Sequence, residues 1–336
     1  MVKIISKTLD LSTLQLTEED KVQDVDILSL ERPLQIGASQ MLALCSDNYI
    51  RVFNSSGVGL RNQYITMQVL DCHLNNDNNF AYLIPNYLNI TRISDGYMIT
   101  AIDCAGCKYV RVGSQYIVVA GQDNNGFYLK WFNLIGELLY TARDTRFNDN
   151  FARHYINPTG SEALVVWGSS NTTELRTGLF SLGALINYFS TYIANWPGIP
   201  SISTDETLTN ILVGSIGWPN NTASVNHIQL GQNPLCTEIE KRTNMANQPK
   251  VYVSLAGGLA CYTMGLDHKV LDLATNQIKR TFTNIQADFA SCIDDKEEFF
   301  ILNYKNKLEF YKISDWSLVA SNTGLKIHYN LQVVRG

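Results

Sequence analysis

Charge is scarce in this chain. Asp, Glu, Lys and Arg together make up 17% of its 336 residues, against about 25% in an ordinary globular domain. The net charge is −5 and no Lys/Arg cluster occurs, so a nucleic-acid partner is not expected, since such proteins carry a basic face. No run reaches 18 consecutive apolar residues, which gives no helical membrane span and no expected membrane partner. The first 21 residues lack a long apolar segment followed by a small-residue cleavage site, so the expected location is cytoplasmic. The seven cysteines, Cys45, Cys72, Cys104, Cys107, Cys236, Cys261 and Cys292, are odd in number and widely spread. They read as free, mostly buried thiols of a reducing compartment.

Helical periodicity is nearly absent as well. The best helical candidate, residues 182–194, is dense in β-branched and aromatic residues and reads better as a strand with a loop. Against these absences stands 45% apolar residues, enough for a full core and incompatible with intrinsic disorder. Asparagine is abundant, with 31 residues. Asn favours turns and left-handed backbone, which suits a β-protein with many tight loops; an AT-rich genome explains the surplus equally well.

Strand-like runs of four to eight residues, rich in Val, Ile, Tyr, Phe and Thr, recur between Asn, Asp, Gly and Ser turns. They group into units of strand, turn, strand, turn, strand. The clearest unit spans 115–144, and a second of the same plan spans 297–322. The third strands of successive units begin near Tyr49, Tyr87, Phe127, Glu174, Val225, Lys269 and Lys307, a mean spacing of about 43 residues. That is the length of a four-stranded propeller blade. The pattern resembles a WD40-like seven-bladed β-propeller. The resemblance is architectural and covers nearly the whole chain. The Gly-His and Trp-Asp dipeptides of that family are missing, the nearest being the reversed Asp315-Trp316, so no functional residue is carried over.

The expected fold is therefore all-β: a seven-bladed β-propeller of four-stranded antiparallel blades, closed by pairing of terminal strands, forming one domain over residues 1–336. The apolar runs 117–120, 164–166, 211–213 and 299–302 should be second strands covered on both faces. The spare run 326–334 should pair with the first unit beside 41–47. Residues 1–20 would form an extra strand or an arm outside the ring.

No catalytic motif is present: there is neither a GxSxG elbow nor a Gly-rich phosphate loop. The protein is expected not to be an enzyme and to need no cofactor. Cys104-Ala105-Gly106-Cys107 is a lone CxxC, and a structural zinc site needs four ligands. It reads as two neighbouring thiols in a loop between blades, and no metal is expected. The Asn/Asp runs at 75–79 and 123–126 read as turn chemistry rather than calcium loops.

The resemblance places the loops joining second to third strands on one face, together with the loops between blades. Six of the seven second-to-third loops contain Asn, including Asn124, Asn171 and Asn220. Trp196 and Trp218, each followed by Pro, would meet on this face around the fifth blade. Trp is enriched at binding hot spots, and loops carry function. Trp196, Trp218, Asn220, Asn124 and Asn171 are accordingly the expected binding residues. The leading expectation is a non-catalytic protein-interaction scaffold presenting propeller loops to a protein partner or a larger assembly. A structural subunit of a viral or phage particle and a glycan-binding propeller are the alternatives.

Overall fold

A computed structural model describes residues 7–10, 15–18, 34–36, 40–44, 49–54, 59–75, 79–147, 152–168, 174–192, 201–217, 220–231, 233–285, 291–294, 296–304, 307–323 and 331–333. Among the described residues there is no helix, and so none long and apolar enough to cross a membrane. The strands β1 (Lys7–Asp10) and β2 (Gln15–Glu18) pair only with each other. A first sheet contains β3 (Leu34–Ile36), β4 (Gln40–Leu44), β5 (Tyr49–Asn54) and β6 (Gly59–Tyr64). The second has β7 (Asp71–Asn75), β8 (Asn79–Ile84), β9 (Tyr87–Arg92) and β10 (Met98–Asp103). The third has β11 (Cys107–Val112), β12 (Tyr116–Asp123), β13 (Gly126–Asn133) and β14 (Leu138–Asp144). The fourth has β15 (Ala152–Ile156), β16 (Glu162–Gly168), β17 (Glu174–Ser181) and β18 (Ala184–Tyr192). The fifth has β19 (Ser201–Thr204), β20 (Asn210–Gly217), β21 (Thr222–Gln229) and β22 (Leu235–Arg242). The sixth has β23 (Val251–Val253), β24 (Leu259–Met264), β25 (Asp267–Asp272) and β26 (Gln277–Phe282). The seventh has β27 (Cys292–Ile293), β28 (Phe299–Tyr304), β29 (Lys307–Lys312) and β30 (Leu318–Thr323). The last strand, β31 (Leu331–Val333), returns to the first sheet.

This corrects the expected count. Six sheets, not seven, are four-stranded and antiparallel; the first holds five strands, in the order β31-β3-β4-β5-β6. β31 runs parallel to β3, with Leu34 opposite Leu331 and Ile36 opposite Val333. The expected partner, 41–47, is wrong for a simple reason. Both edges of β4 are already taken, by β3 and β5, so β31 pairs at the outer edge of β3. No backbone ladder joins one sheet to the next among the described residues, so the sheets do not close by hydrogen bonding into a continuous barrel.

Packing between sheets does what ladders do not. Along β12, Ile117 and Val119 pack with Leu83, Leu88 and Ile90 of the second sheet. The alternate residues Val118 and Ala120 pack with Ala163, Val165 and Phe180 of the fourth. Along β16, Leu164 and Val166 turn to Ile211, Val213 and Ile228 of the fifth sheet. Leu212 then faces Val251, Ala260 and Tyr262 of the sixth. Side chains alternate across a strand with period two, so a continuous apolar run serves two neighbours at once. All residues of 117–120, 164–166 and 211–213 are buried; in 299–302, Ile301 is half-buried. Each fully buried aliphatic side chain contributes about 2 kcal/mol over its exposed state.

The first-to-second hairpins of four successive sheets share one design. They begin at Asn157, Asp205, Ser254 and Asp294. In each, that residue's N–H donates to the carbonyl five residues on, and its own carbonyl accepts from the N–H three residues on. The fourth position has a left-handed backbone in all four: Gly160 (φ 79°), Leu208 (59°), Gly257 (78°) and Glu297 (58°). Glu297 combines this strain with a link to the previous sheet. Its carboxylate accepts the N–H groups of Gly258 and Leu259, both at 2.8 Å, and the Ser254 hydroxyl.

A buried ionic network ties the fifth sheet to the sixth. Lys269 Nζ donates to both Glu240 oxygens at 2.9 and 2.8 Å, and Tyr262 Oη donates to Glu240 Oε2 at 2.8 Å. Arg242 reaches Glu240 Oε1 at 2.7 Å and Asp267 Oδ2 at 3.1 Å. Burial raises the Glu240 carboxyl's proton affinity. The hydrogen bonds from Lys269 and Tyr262 and the charges of Lys269 and Arg242 outweigh it and hold the group below its ordinary range. Replacing Glu240 by Gln leaves Lys269 buried without its counter-charge, and should cost about 3 kcal/mol in urea denaturation at neutral pH. A depressed carboxyl contributes stability that is complete above its unfolded value and lost as pH falls through the folded one. The Glu240→Gln variant should therefore lose less stability than the wild type on acidification, and an equal acid slope in both would remove the network from the account.

Candidate functional site

The face carrying the second-to-third hairpins holds a cavity where the second and third sheets meet. About 380 Å³ in volume, it is lined by Leu70, Pro85, Gly106, Cys107, Lys108 and Tyr109. Leu70 precedes β7, Pro85 belongs to the β8–β9 turn, and the others lie at and just after the connection from β10 to β11. The two kinds of loop are bonded to each other. Cys104 N–H donates to Asn86 O at 2.8 Å, and Gln122 N–H, near the end of β12, to Gly106 O at 3.3 Å. The side-by-side placement of hairpins and inter-sheet loops expected for this face therefore holds here.

The connection itself is a tight turn. Cys107 N–H donates to Cys104 O at 2.9 Å, and Gly106 has φ +80°, the third position of a type II turn, where glycine is favoured. Tyr128 Oη donates to Ala105 O at 2.9 Å and lies 3.5 Å from Cys107 Sγ. Lys130 Nζ lies 4.9 Å from the centre of the Tyr128 ring and the Arg143 guanidinium 5.5 Å. Arg143 in turn grips Asp123 through both carboxylate oxygens, at 2.7 and 2.8 Å. Asp123 also accepts the Asn125 N–H at 2.8 Å, which fixes the hairpin beside the cavity. Tyr87, at the edge of the same face, is 45% exposed.

Of the expected binding residues, Asn124 is exposed in the β12–β13 turn beside this cavity. Asn220 is exposed in the β20–β21 turn, two sheets away. Asn220 and Asn221 have φ of 71° and 45°, left-handed backbone that asparagine tolerates in turns. Their carbonyls accept the N–H groups of Asn244 and Met245, at 2.8 and 3.0 Å. Turn geometry alone accounts for asparagine there. Trp196, Trp218 and Asn171 lie outside the described residues. The Cys104–Cys107 pair does lie between sheets, as its sequence suggested.

A second cluster runs along the first strands and was not visible in the sequence. Arg111 Nη1 pairs with Asp71 Oδ2 at 2.9 Å, and the same oxygen accepts Val110 N–H at 2.9 Å. Val112 N–H donates to His73 Nδ1 at 3.3 Å, and Arg153 Nη1 to Tyr109 Oη at 3.0 Å. Burial, with Arg111 adding to it, pushes His73 down to about 3, so the ring is neutral and its Nδ1 accepts. The partners are 39 to 44 residues apart, one repeat length. Only the repeat spacing hints at them.

No family model matches the chain, and no curated protein matches it. Solved structures do. Hydrazine synthase from Kuenenia stuttgartiensis aligns over 91% of this chain and 99% of its own, with a TM-score of 0.62 at 8% identity. A functionally unknown protein from Desulfotomaculum acetoxidans aligns over 89% and 98%, with a TM-score of 0.56 at 13% identity. A form of KlHsv2 with a loop replaced by a Gly-Ser linker aligns over 87% and 99%, with a TM-score of 0.56 at 10% identity. Together with the six four-stranded antiparallel sheets, these likenesses define a repeated, propeller-like all-β fold. The first overturns one expectation. A chain of this fold belongs to an enzyme, so the architecture does not count against catalysis. At such identities the likeness is one of fold and assigns no reaction.

The cavity wall leaves no room behind the turn. A Cβ on Gly121 would run into Gly106 O and Tyr128 Oη. Gly121→Ala should therefore displace the turn and lower stability by about 2 kcal/mol in urea denaturation. An unchanged midpoint would show that the wall yields.

Proposed function

We propose that the protein is an interaction platform that docks a protein partner on the face bearing the second-to-third hairpins. The observation that carries this reading is the cavity of about 380 Å³ between the second and third sheets. Leu70, Pro85 and Tyr109 give it apolar walls, and hairpins locked by Asp123 and the inter-sheet turn frame it. Such a hollow suits an apolar side chain of the partner, the kind of anchor around which binding energy concentrates. Asn124, exposed in the β12–β13 turn, and Tyr87, exposed two residues after Pro85, are the polar and aromatic contacts of this reading. Trp196 and Trp218 belong to the same proposal through their places in the sequence. A photo-crosslinking amino acid at position 124 or 87 should capture one and the same protein in cells. The same group at Lys279, on an outermost strand, should not. Capture of different proteins at the two positions, or equal capture at Lys279, would defeat the reading.

The ring that presents this face is, in our reading, seven-bladed, with the five-stranded first sheet as the seventh blade and β31 as its clasp. Two contacts support this: β31 packs beside β27 as well as pairing with β3, and β4 packs beside β7. Deleting residues 325–336 should then expose an edge and cost several kcal/mol, because many contacts go at once. A truncated chain that stays monomeric and melts at the same temperature would refute the clasp.

A further inference from the structure

The molecule contains two pairs of neighbouring cysteines, and their surroundings differ. Cys261 on β24 and Cys292 on β27 sit in the core between the sixth and seventh sheets. The Cys261 thiol bonds to Ser291 O at 3.2 Å. Burial pushes both upward, Cys292 to about 12. They are inert packing groups. Cys104 and Cys107 are as deeply buried and differ in geometry. A β-turn brings its first and fourth Cα atoms within about 7 Å, a separation that overlaps the 4.4–6.8 Å range of disulfides. The turn hydrogen bond and the left-handed Gly106 hold this geometry. Cys107, itself only 2% exposed, lines the cavity, and Cys104 is fully buried.

The two sulfurs are also electrically unlike. The hydrogen bond from the Cys104 thiol favours the Cys107 thiolate; the Lys130 charge adds to this, against burial. The same bond keeps Cys104 in its thiol form. A thiolate facing a cavity, backed by a protonated thiol within bonding reach, is the arrangement of a nucleophilic and a resolving cysteine. Among the described residues, no His, Asp or Glu joins the pair to complete a three-ligand metal set.

We propose that Cys104 and Cys107 form a reversible redox site that exchanges with a small-molecule disulfide of the glutathione type entering the cavity. The Cys107 thiolate attacks one sulfur of the oxidised reagent. A mixed disulfide forms and one thiolate leaves. Cys104 then gives up its proton to the medium and attacks Cys107 Sγ. The Cys104–Cys107 bond forms, the second thiolate leaves, and both released thiolates take up protons as their own equilibria dictate. The protein dithiol is oxidised by two electrons and the reagent is reduced to two thiols. Oxidation replaces the Cys107 thiolate by a neutral disulfide, so the cavity wall differs between the two states. The site stands whether or not the face docks a partner, since its chemistry needs only the turn and the cavity.

The test uses the intact chain in glutathione buffers of graded oxidised-to-reduced ratio. After an alkylating quench, the peptide carrying Cys104 and Cys107 is weighed. The expected product is lighter by two hydrogens than the reduced peptide, returns to the dithiol on reduction, and leaves Cys261 and Cys292 unmodified. Cys104→Ser should stop the sequence at the first step and accumulate the Cys107–glutathione mixed disulfide. The proposal falls if native Cys107 is alkylated no faster than Cys261. It falls equally if oxidation yields no bond between Cys104 and Cys107, or if Cys104→Ser accumulates no mixed disulfide.

Discussion

Burial of the second strands on both faces is the constraint from which the rest follows. A sheet with one apolar face needs one cover, but a sheet whose middle strand reads Ile117-Val118-Val119-Ala120 needs two. Each cover is another sheet with the same need, so the solution repeats until the chain is used. The polar features are arranged around that stack. Hairpins and inter-sheet turns lie at its ends, where backbone groups reach water or each other. Glu240, Lys269, Tyr262 and Arg242 enter the stack as one network.

The cavity between the second and third sheets is a product of the same arrangement. Side chains interdigitate in the middle of a sheet pair, where strands are long. At the ends the loops diverge, and the gap is filled only as far as loop residues reach. Gly106 and Gly121 bring backbone close together behind the turn, leaving the Cys107 side of it facing the gap. The feature that makes this place chemically distinct is thus a pair of glycines and a tyrosine hydroxyl.

Much of the fold was legible because period and spacing are local properties. The third strands begin at Tyr49, Tyr87, Glu174 and Lys307, where the sequence pattern places them. At β13, β21 and β25 they begin one to three residues earlier. At β21, Thr222 is already paired with Gly217, so the ladder begins directly after Asn221. Residues 182–194, read as strand rather than helix, contain β18. What stayed hidden is what forms between repeats. The partnerships of Asp71 with Arg111 and of Glu240 with Lys269 join residues 40 and 29 positions apart, and no single-strand pattern encodes them. The fifth strand of the first sheet was misplaced because hydrophobic pattern says that a strand is wanted, not which edge is vacant. The left-handed positions of Leu208 and Glu297 were invisible because glycine, the usual marker, stands only in the matching turns at Gly160 and Gly257.

The parallel pairing of β3 with β31 has a consequence for how the molecule comes into being. Its two strands are separated by nearly the whole described chain, from Leu34 to Leu331. During synthesis, the second to seventh sheets can each form as soon as their own strands emerge, since each is a run of local hairpins. The first sheet cannot be completed until the ribosome has delivered residue 333, and β3 waits through that interval with an unpaired edge. Unpaired edges template association with other chains, and contacts of such long sequence separation form slowly. The step most exposed to failure in making this protein is therefore the last one, when the final strand must find a sheet begun three hundred residues earlier.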